Sequence, residues 1–195
     1  MIARQLYKED LGYADGLKII HKVIIQGNPH LLRAFLKLNL DVNMNTDKGD
    51  KFLPEIKGLH LIALMEKWEL IDVLLEYRSI NLSTTDEYLN TILHYVSLFN
   101  KQDVMDKLLA MQINISQRNF EGDEVIHTCT YNDSYECFIT ILNKYSRPEG
   151  HEEIIVGKRN NKNENCIHLS IVHRAVNIFK YILSIVKKID SIDDN

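Results

Sequence analysis

Thr91-Ile92-Leu93-His94 opens the stretch TILHYVSLFNKQDVMDKLL, residues 91–109, and the spacing inside it decides the fold. Leu93, Val96 and Leu98 fit one short helix, with Thr91 as an N-cap whose hydroxyl can accept from an early backbone amide. Beyond Asn100, Val104, Met105, Leu108 and Leu109 form the apolar stripe of a second helix. The stretch is one copy of a pattern. His21, His60, His94, His127 and His168 recur at intervals of 39, 34, 33 and 41 residues. Ile20, Leu59, Leu93, Ile126 and Ile167 precede them, and the apolar pairs Phe35-Leu36, Leu74-Leu75, Leu108-Leu109, Ile141-Leu142 and Ile182-Leu183 follow fourteen and fifteen residues later. One such helix pair cannot bury its apolar side alone, so the core must continue from one pair to the next.

A module of about 33 residues with this layout resembles the ankyrin repeat. Thr91-Ile92-Leu93-His94 is similar to that family's Thr-Pro-Leu-His, and Leu40-Asp41-Val42-Asn43 to its Ala-Asp-Val-Asn. The resemblance spans nearly the whole chain. It implies an all-α ankyrin-repeat solenoid, one domain over 1–195, with repeats near 16–45, 55–86, 89–119, 122–160 and 163–190 and an N-terminal cap over 1–15. Where the family prefers glycine, six residues after the histidine, Gly27 is followed by Glu66, Asn100, Asp133 and Arg174. Asn and Asp tolerate positive φ best among the non-glycines. The turns at Glu66 and Arg174 are therefore expected to be distorted, or their repeats less stable. Extra residues fall in Asn43–Lys57 and in Tyr145–Asn165, both read as loop, the latter opening with a turn at Ser146-Arg147-Pro148-Glu149-Gly150.

Composition agrees with a helical chain: 45% of the 195 residues are apolar, and there are only three prolines and eight glycines. A net charge of −4 supplies no basic field for phosphate backbones, so no direct nucleic-acid partner is expected. Met1–Asp10 lacks the apolar run of a secretory signal, and no segment approaches the roughly 18 apolar residues needed to span a bilayer. No membrane partner is expected, and the compartment read from this is the cytoplasm. Cys129, Cys137 and Cys166 are odd in number and suit reduced thiols there.

Eight histidines invite a metal reading, but they lie a repeat apart and no Cys-x-x-Cys occurs, so no metal or cofactor is expected. A buried histidine at the start of each first helix would instead hydrogen-bond neighbouring backbone and staple adjacent turns. His151-Glu152-Glu153 reads as solvated charge. Cys129 lies two residues after His127 where the family packs alanine, a structural position; no phosphate-cradling loop or Gly-x-Ser-x-Gly is present. The chain reads as non-enzymatic, with no small-molecule substrate.

Ankyrin resemblance further implies that the fourth and fifth residues after each histidine face a partner: Ile25-Gln26, Leu64-Met65, Leu98-Phe99, Tyr131-Asn132 and Val172-His173. Hairpin tips would add Asp86, Glu87 and Tyr88; Asn119, Phe120 and Glu121; and Arg159, Asn160 and Lys162. Residues 117–183 are similar to the middle repeats of the IκB inhibitors, through Arg118-Asn119-Phe120-Glu121-Gly122 ahead of Ile126-His127 and through Cys166-Ile167-His168-Leu169 after an insertion. That likeness implies a Rel/NF-κB homology domain as partner. Regulated IκB proteins carry paired serines in an N-terminal degron, whereas the first serine here is Ser79, and no long acidic tail follows the array. A short array without either signal resembles the truncated viral IκB mimics called vankyrins, acting in host cytoplasm and nucleus. The alternative expectation is a pathogen ankyrin effector or scaffold that binds another host protein.

Overall fold

The computed structural model describes residues 18–39, 41–45, 56–77 and 80–193, with side chains as far as Ile185. The expected cap over 1–15 and most of the Asn43–Lys57 insertion lie outside them; at that insertion's flanks, Asn45 and Lys57 form an isolated antiparallel bridge. The described residues are all-helical, with α1 Ile19–Gln26, α2 Pro29–Lys37, α3 Gly58–Leu64, α4 Glu69–Leu75, α5 Ile92–Leu98, α6 Gln102–Ala110, α7 Val125–Tyr131, α8 Tyr135–Tyr145, α9 His151–Gly157, α10 Cys166–Val172 and α11 Val176–Asp193. A 3-10 turn, Pro148–Gly150, leads into α9. The chain divides into two compact units, the first ending at Tyr95 and the second beginning at Val96.

In the first unit α1 packs on α2 and α3, and α2 packs on α4. Its core is aliphatic: Ile20, Ile24, Leu32, Leu59, Leu70 and Leu74 are fully or almost fully buried. In the second unit α7 packs on α8 and α10, α6 on α8, and α10 on α11. Phe138 is the largest fully buried side chain there. The inserted segment 145–165 is not simply loop, because α9 packs on α8, α10 and α11.

The turn joining first to second helix has one geometry in all five copies. Gly27, Glu66, Asn100, Asp133 and Arg174 all adopt left-handed φ, between 50° and 67°. Each donates its N–H to the carbonyl three residues back, as in Glu66 to Ala63 and Arg174 to Ile171. In four copies the next residue also closes a wider loop, Lys67 to Ile62, Lys101 to Val96, Ser134 to Cys129 and Ala175 to Ser170. These paired bonds satisfy carbonyls that a helix end would otherwise leave orphaned. The expected distortion at Glu66 and Arg174 is therefore absent: the bonds hold the turn against the conformational cost of a side chain at positive φ.

Two of the non-glycine residues do further work. The Asp133 carboxylate accepts from the backbone N–H of Asn177 at 3.1 Å and of Ile178 at 3.0 Å, at the start of α11. Asn100 Oδ1 accepts from the Cys137 N–H near the start of α8, at 3.2 Å. Each turn residue thus caps the second helix of the following copy, where free N–H groups and the positive end of the helix dipole favour an oxygen. Opposite signs follow for two glycine substitutions. Arg174→Gly should raise stability by about 0.5–1 kcal/mol, because relief of left-handed strain exceeds glycine's added chain entropy. Asp133→Gly should lower it by about 1 kcal/mol through loss of the cap. Thermal melting of the two variants checks this, and a shift in the same direction for both would refute the capping role.

Candidate functional site

The repeated histidine is a helix-capping residue. Its Nδ1 accepts from the N–H three residues earlier: Lys18 to His21 at 3.1 Å, Thr91 to His94 at 3.1 Å and Glu124 to His127 at 3.0 Å. An Nδ1 that accepts leaves the proton on Nε2. That proton reaches forward to the loop before the next copy, to the Met44 carbonyl from His21 at 3.0 Å and to the Lys158 carbonyl from His127 at 3.2 Å. The Thr91 hydroxyl lies 2.9 Å from His94 Nδ1, so it serves the imidazole.

Two histidines depart from the expected staple. His60 is fully buried, yet among the described residues neither ring nitrogen makes a well-aligned hydrogen bond. Burial holds its pKa down at about 4, and the Asp86 charge and the Thr84 and Asn90 carbonyls offset only part of that. His168 is exposed, whereas the other four are buried. His151 also corrects expectation. It is buried rather than solvated, with Nδ1 2.7 Å from the Tyr181 hydroxyl.

Ahead of the first helices stand three tips with one bonding pattern, built on an Asx residue eight positions before the histidine. Asp86 Oδ1 accepts from the N–H groups of Tyr88 and Asn90, Asn119 Oδ1 from Glu121 and Asp123, and Asn160 Oδ1 from Lys162 and Glu164. The same three residues donate their own N–H to the carbonyl four residues on, each at 3.0 Å. A side-chain oxygen that binds two amides fixes a tight turn before any partner arrives. The place of these residues at the tips is legible from spacing; that their polar atoms are spent on the turn is signalled only by Asp or Asn at a constant distance from the histidine.

Successive tips are tied in the second unit. Asn161 donates its N–H to the Glu121 carbonyl at 2.9 Å and its amide to the Phe120 carbonyl at 3.1 Å. Gly122, at φ 78°, must be glycine, since a Cβ there would collide with the Asn161 amide. Arg118 reaches the Arg159 carbonyl, while the Arg159 guanidinium donates to the Asn163 carbonyl at 2.8 Å. Arg159 is therefore half-buried and engaged, and Lys162 is exposed. Below the tips Glu124 is buried, accepting from Lys158 Nζ at 2.9 and 3.2 Å and from the Tyr145 hydroxyl. Lys158 also lies 4.5 Å above the Tyr145 ring.

What the tips offer is the apolar side chains around these turns. Phe120 is 69% exposed, and Tyr88 and Leu89 are exposed as well, beside the exposed carboxylates of Glu87 and Glu121. At the ends of the first helices, Leu98 and Val172 are exposed, as are Asn132 and His173. Leu64, Met65, Phe99 and Tyr131 are half-buried. Tyr131 meets the His173 ring edge-on at 4.5 Å between centroids.

Among the described residues, no three His, Cys, Asp or Glu side chains converge as a metal cage, and no helix is long and apolar enough to cross a membrane. The three thiols are buried and unpaired; burial pushes Cys137 and Cys166 up to about 12 and Cys129 well above the ordinary value. A thiol that stays protonated is a poor nucleophile. Ellman's reagent should therefore label the native chain only as fast as it unfolds, and a prompt stoichiometric reaction without urea would contradict the burial. Compared with known proteins, the chain matches no protein-family model and no curated protein.

Proposed function

We propose that this chain is an ankyrin-type repeat protein that binds a protein partner by occupancy rather than catalysis, and that the partner is a Rel-type homology domain met in the cytoplasm. The observation that carries the binding reading is the set of three pre-formed Asx tips, two of which hold Tyr88, Leu89 and Phe120 in water. An exposed aromatic on a rigid turn loses little entropy on docking and suits an interface hot spot. The choice of Rel rests on the likeness of residues 117–183 to IκB repeats, which includes the Phe120 tip and the insertion before Cys166.

Direct binding of the purified chain to a panel of Rel homology domains tests both levels. Sub-micromolar binding is expected, weakened about 30-fold by Phe120→Asp, the loss of one hot-spot contact of roughly 2 kcal/mol. Leu98→Asp with Phe99→Asp should act in the same sense, as should charge reversal at Lys162. Because Arg159 already serves the Asn163 carbonyl, its reversal should disturb the tip as well as the complex. Absence of binding across the panel would remove Rel as the partner and leave the effector or scaffold reading, whereas binding indifferent to all these variants would place the interface elsewhere.

A further inference from the structure

The turn of the second tip, residues 119–123, is held from two sides. Its N–H groups turn inward: Glu121 and Asp123 donate to Asn119 Oδ1 at 3.1 and 2.9 Å, and Gly122 donates to the Asn119 carbonyl at 3.0 Å. Its carbonyls are gripped from outside the turn. Asn161 takes two of them, donating from Nδ2 to the Phe120 carbonyl at 3.1 Å and from its backbone N–H to the Glu121 carbonyl at 2.9 Å. Arg118 Nε donates to the third, that of Gly122, at 2.9 Å. A residue that grips two consecutive carbonyls fixes two peptide planes, and the plane after Phe120 limits the directions its Cα–Cβ bond can take. The ring so directed is the one that stands in water.

We propose that the third tip, residues 160–164, is a brace for the second, and that Asn161 is the positioning residue that holds Phe120 in its docking orientation. The inference rests on the binding role given to Phe120 above. Asn161 follows Asn160 as Phe120 follows Asn119, so the two occupy the same place in successive turns. One extends a ring outward; the other folds its carboxamide back onto the preceding turn. The brace is itself anchored. Asn160 is buried, its Oδ1 accepting from the N–H groups of Lys162 and Glu164 at 3.0 and 2.9 Å and its Nδ2 donating to the Glu164 carboxylate at 3.1 Å. The seat stays open because residue 122 is glycine, where a Cβ would overlap the Asn161 carboxamide. This division of labour accounts for the composition of the tips: Tyr88, Leu89 and Phe120 on the first two, and Asn161, Lys162 and Asn163 on the third. An aromatic held in one direction beforehand loses less entropy when it docks.

Backbone 15N relaxation of the full chain reads the brace without a partner. Order parameters of the Glu121 and Gly122 amides should fall from about 0.85 in the parent toward roughly 0.6 in Asn161→Ala. The melting midpoint should stay unchanged, because Asn161 is exposed. Asn161→Asp, equal in size but unable to donate to the Phe120 carbonyl, should match the alanine variant. Lys162→Ala, on the same tip, should keep the parent's order. Affinity for a Rel homology domain gives the second readout: Asn161→Ala should weaken binding about five-fold, the worth of one net hydrogen bond, and should change nothing once Phe120 is alanine. Unchanged order in both Asn161 variants overturns the proposal, as does a loss of affinity that persists in the Phe120→Ala background. If no Rel homology domain binds the parent, the partner assigned above fails, and the order parameters alone decide the brace.

Discussion

Phe138→Ala should destabilise the second unit by about 3–5 kcal/mol, the largest loss expected from any single core truncation described above. The side chain is completely inaccessible, and its ring meets Tyr181 edge-on at 6.3 Å between centroids. Tyr181 is itself held by His151, so the ring sits where α8, α9 and α11 converge. Surrounding groups fixed by those bonds collapse poorly into the space left behind, which places the cost toward the upper part of the range. Urea unfolding followed by far-ultraviolet circular dichroism measures it. Leu108→Ala, also fully buried, should cost roughly 2–5 kcal/mol and Phe138→Leu much less. A Phe138→Ala variant with the parent's midpoint would mean that the site is not the packed junction described.

Stability should also fall on mild acidification, and His60 should account for the largest share. The folded chain keeps this imidazole neutral down to about pH 4, whereas the unfolded chain takes up a proton near the ordinary value of 6.5. Between those values the unfolded state binds more protons, so stability rises with pH across the window. It is complete above 6.5 and is lost as pH falls through about 4. The full displacement corresponds to on the order of 3 kcal/mol. Burial lowers His127 and His151 too, which act in the same direction. Glu76 and Glu136, held below their usual 4.5 by Arg33 and Asn100, contribute only at still lower pH. Unfolding free energies near neutrality and at about pH 5 therefore isolate the histidines. His60→Leu should cost little at neutral pH, because it removes two buried polar atoms that make no well-aligned hydrogen bond, and should flatten the acid slope. Parallel slopes for parent and variant would show that His60 is not the buried group that titrates.

Helix positions were legible in the sequence because they follow from spacing. The apolar pair fourteen and fifteen residues after each histidine marked the second helices, and most of those residues are buried. What escaped were residues whose environment is set by a partner 30 or more positions away. His151 beside two glutamates reads as surface, and only Tyr181, 30 residues on, makes it interior. Nothing local to Glu124 marks it as buried; Lys158 folds over it from 34 residues away. Asn100 and Asp133 read only as the best-tolerated stand-ins for glycine, since local backbone preference says nothing about the helix end that each side chain reaches. His168 shows the converse: its motif matches the others, yet it is exposed, because burial is set by packing that the motif does not encode.

The long-range side-chain ties named here join residues between 21 and 45 positions apart, from Glu124 with Tyr145 to Asp133 with Ile178. A chain so wired can settle while it is still being made. At synthesis rates of roughly 5–20 residues per second, the partner for each new helix pair leaves the ribosome within seconds of the pair itself. The nascent chain need never hold a half-finished core open for the length of its own translation.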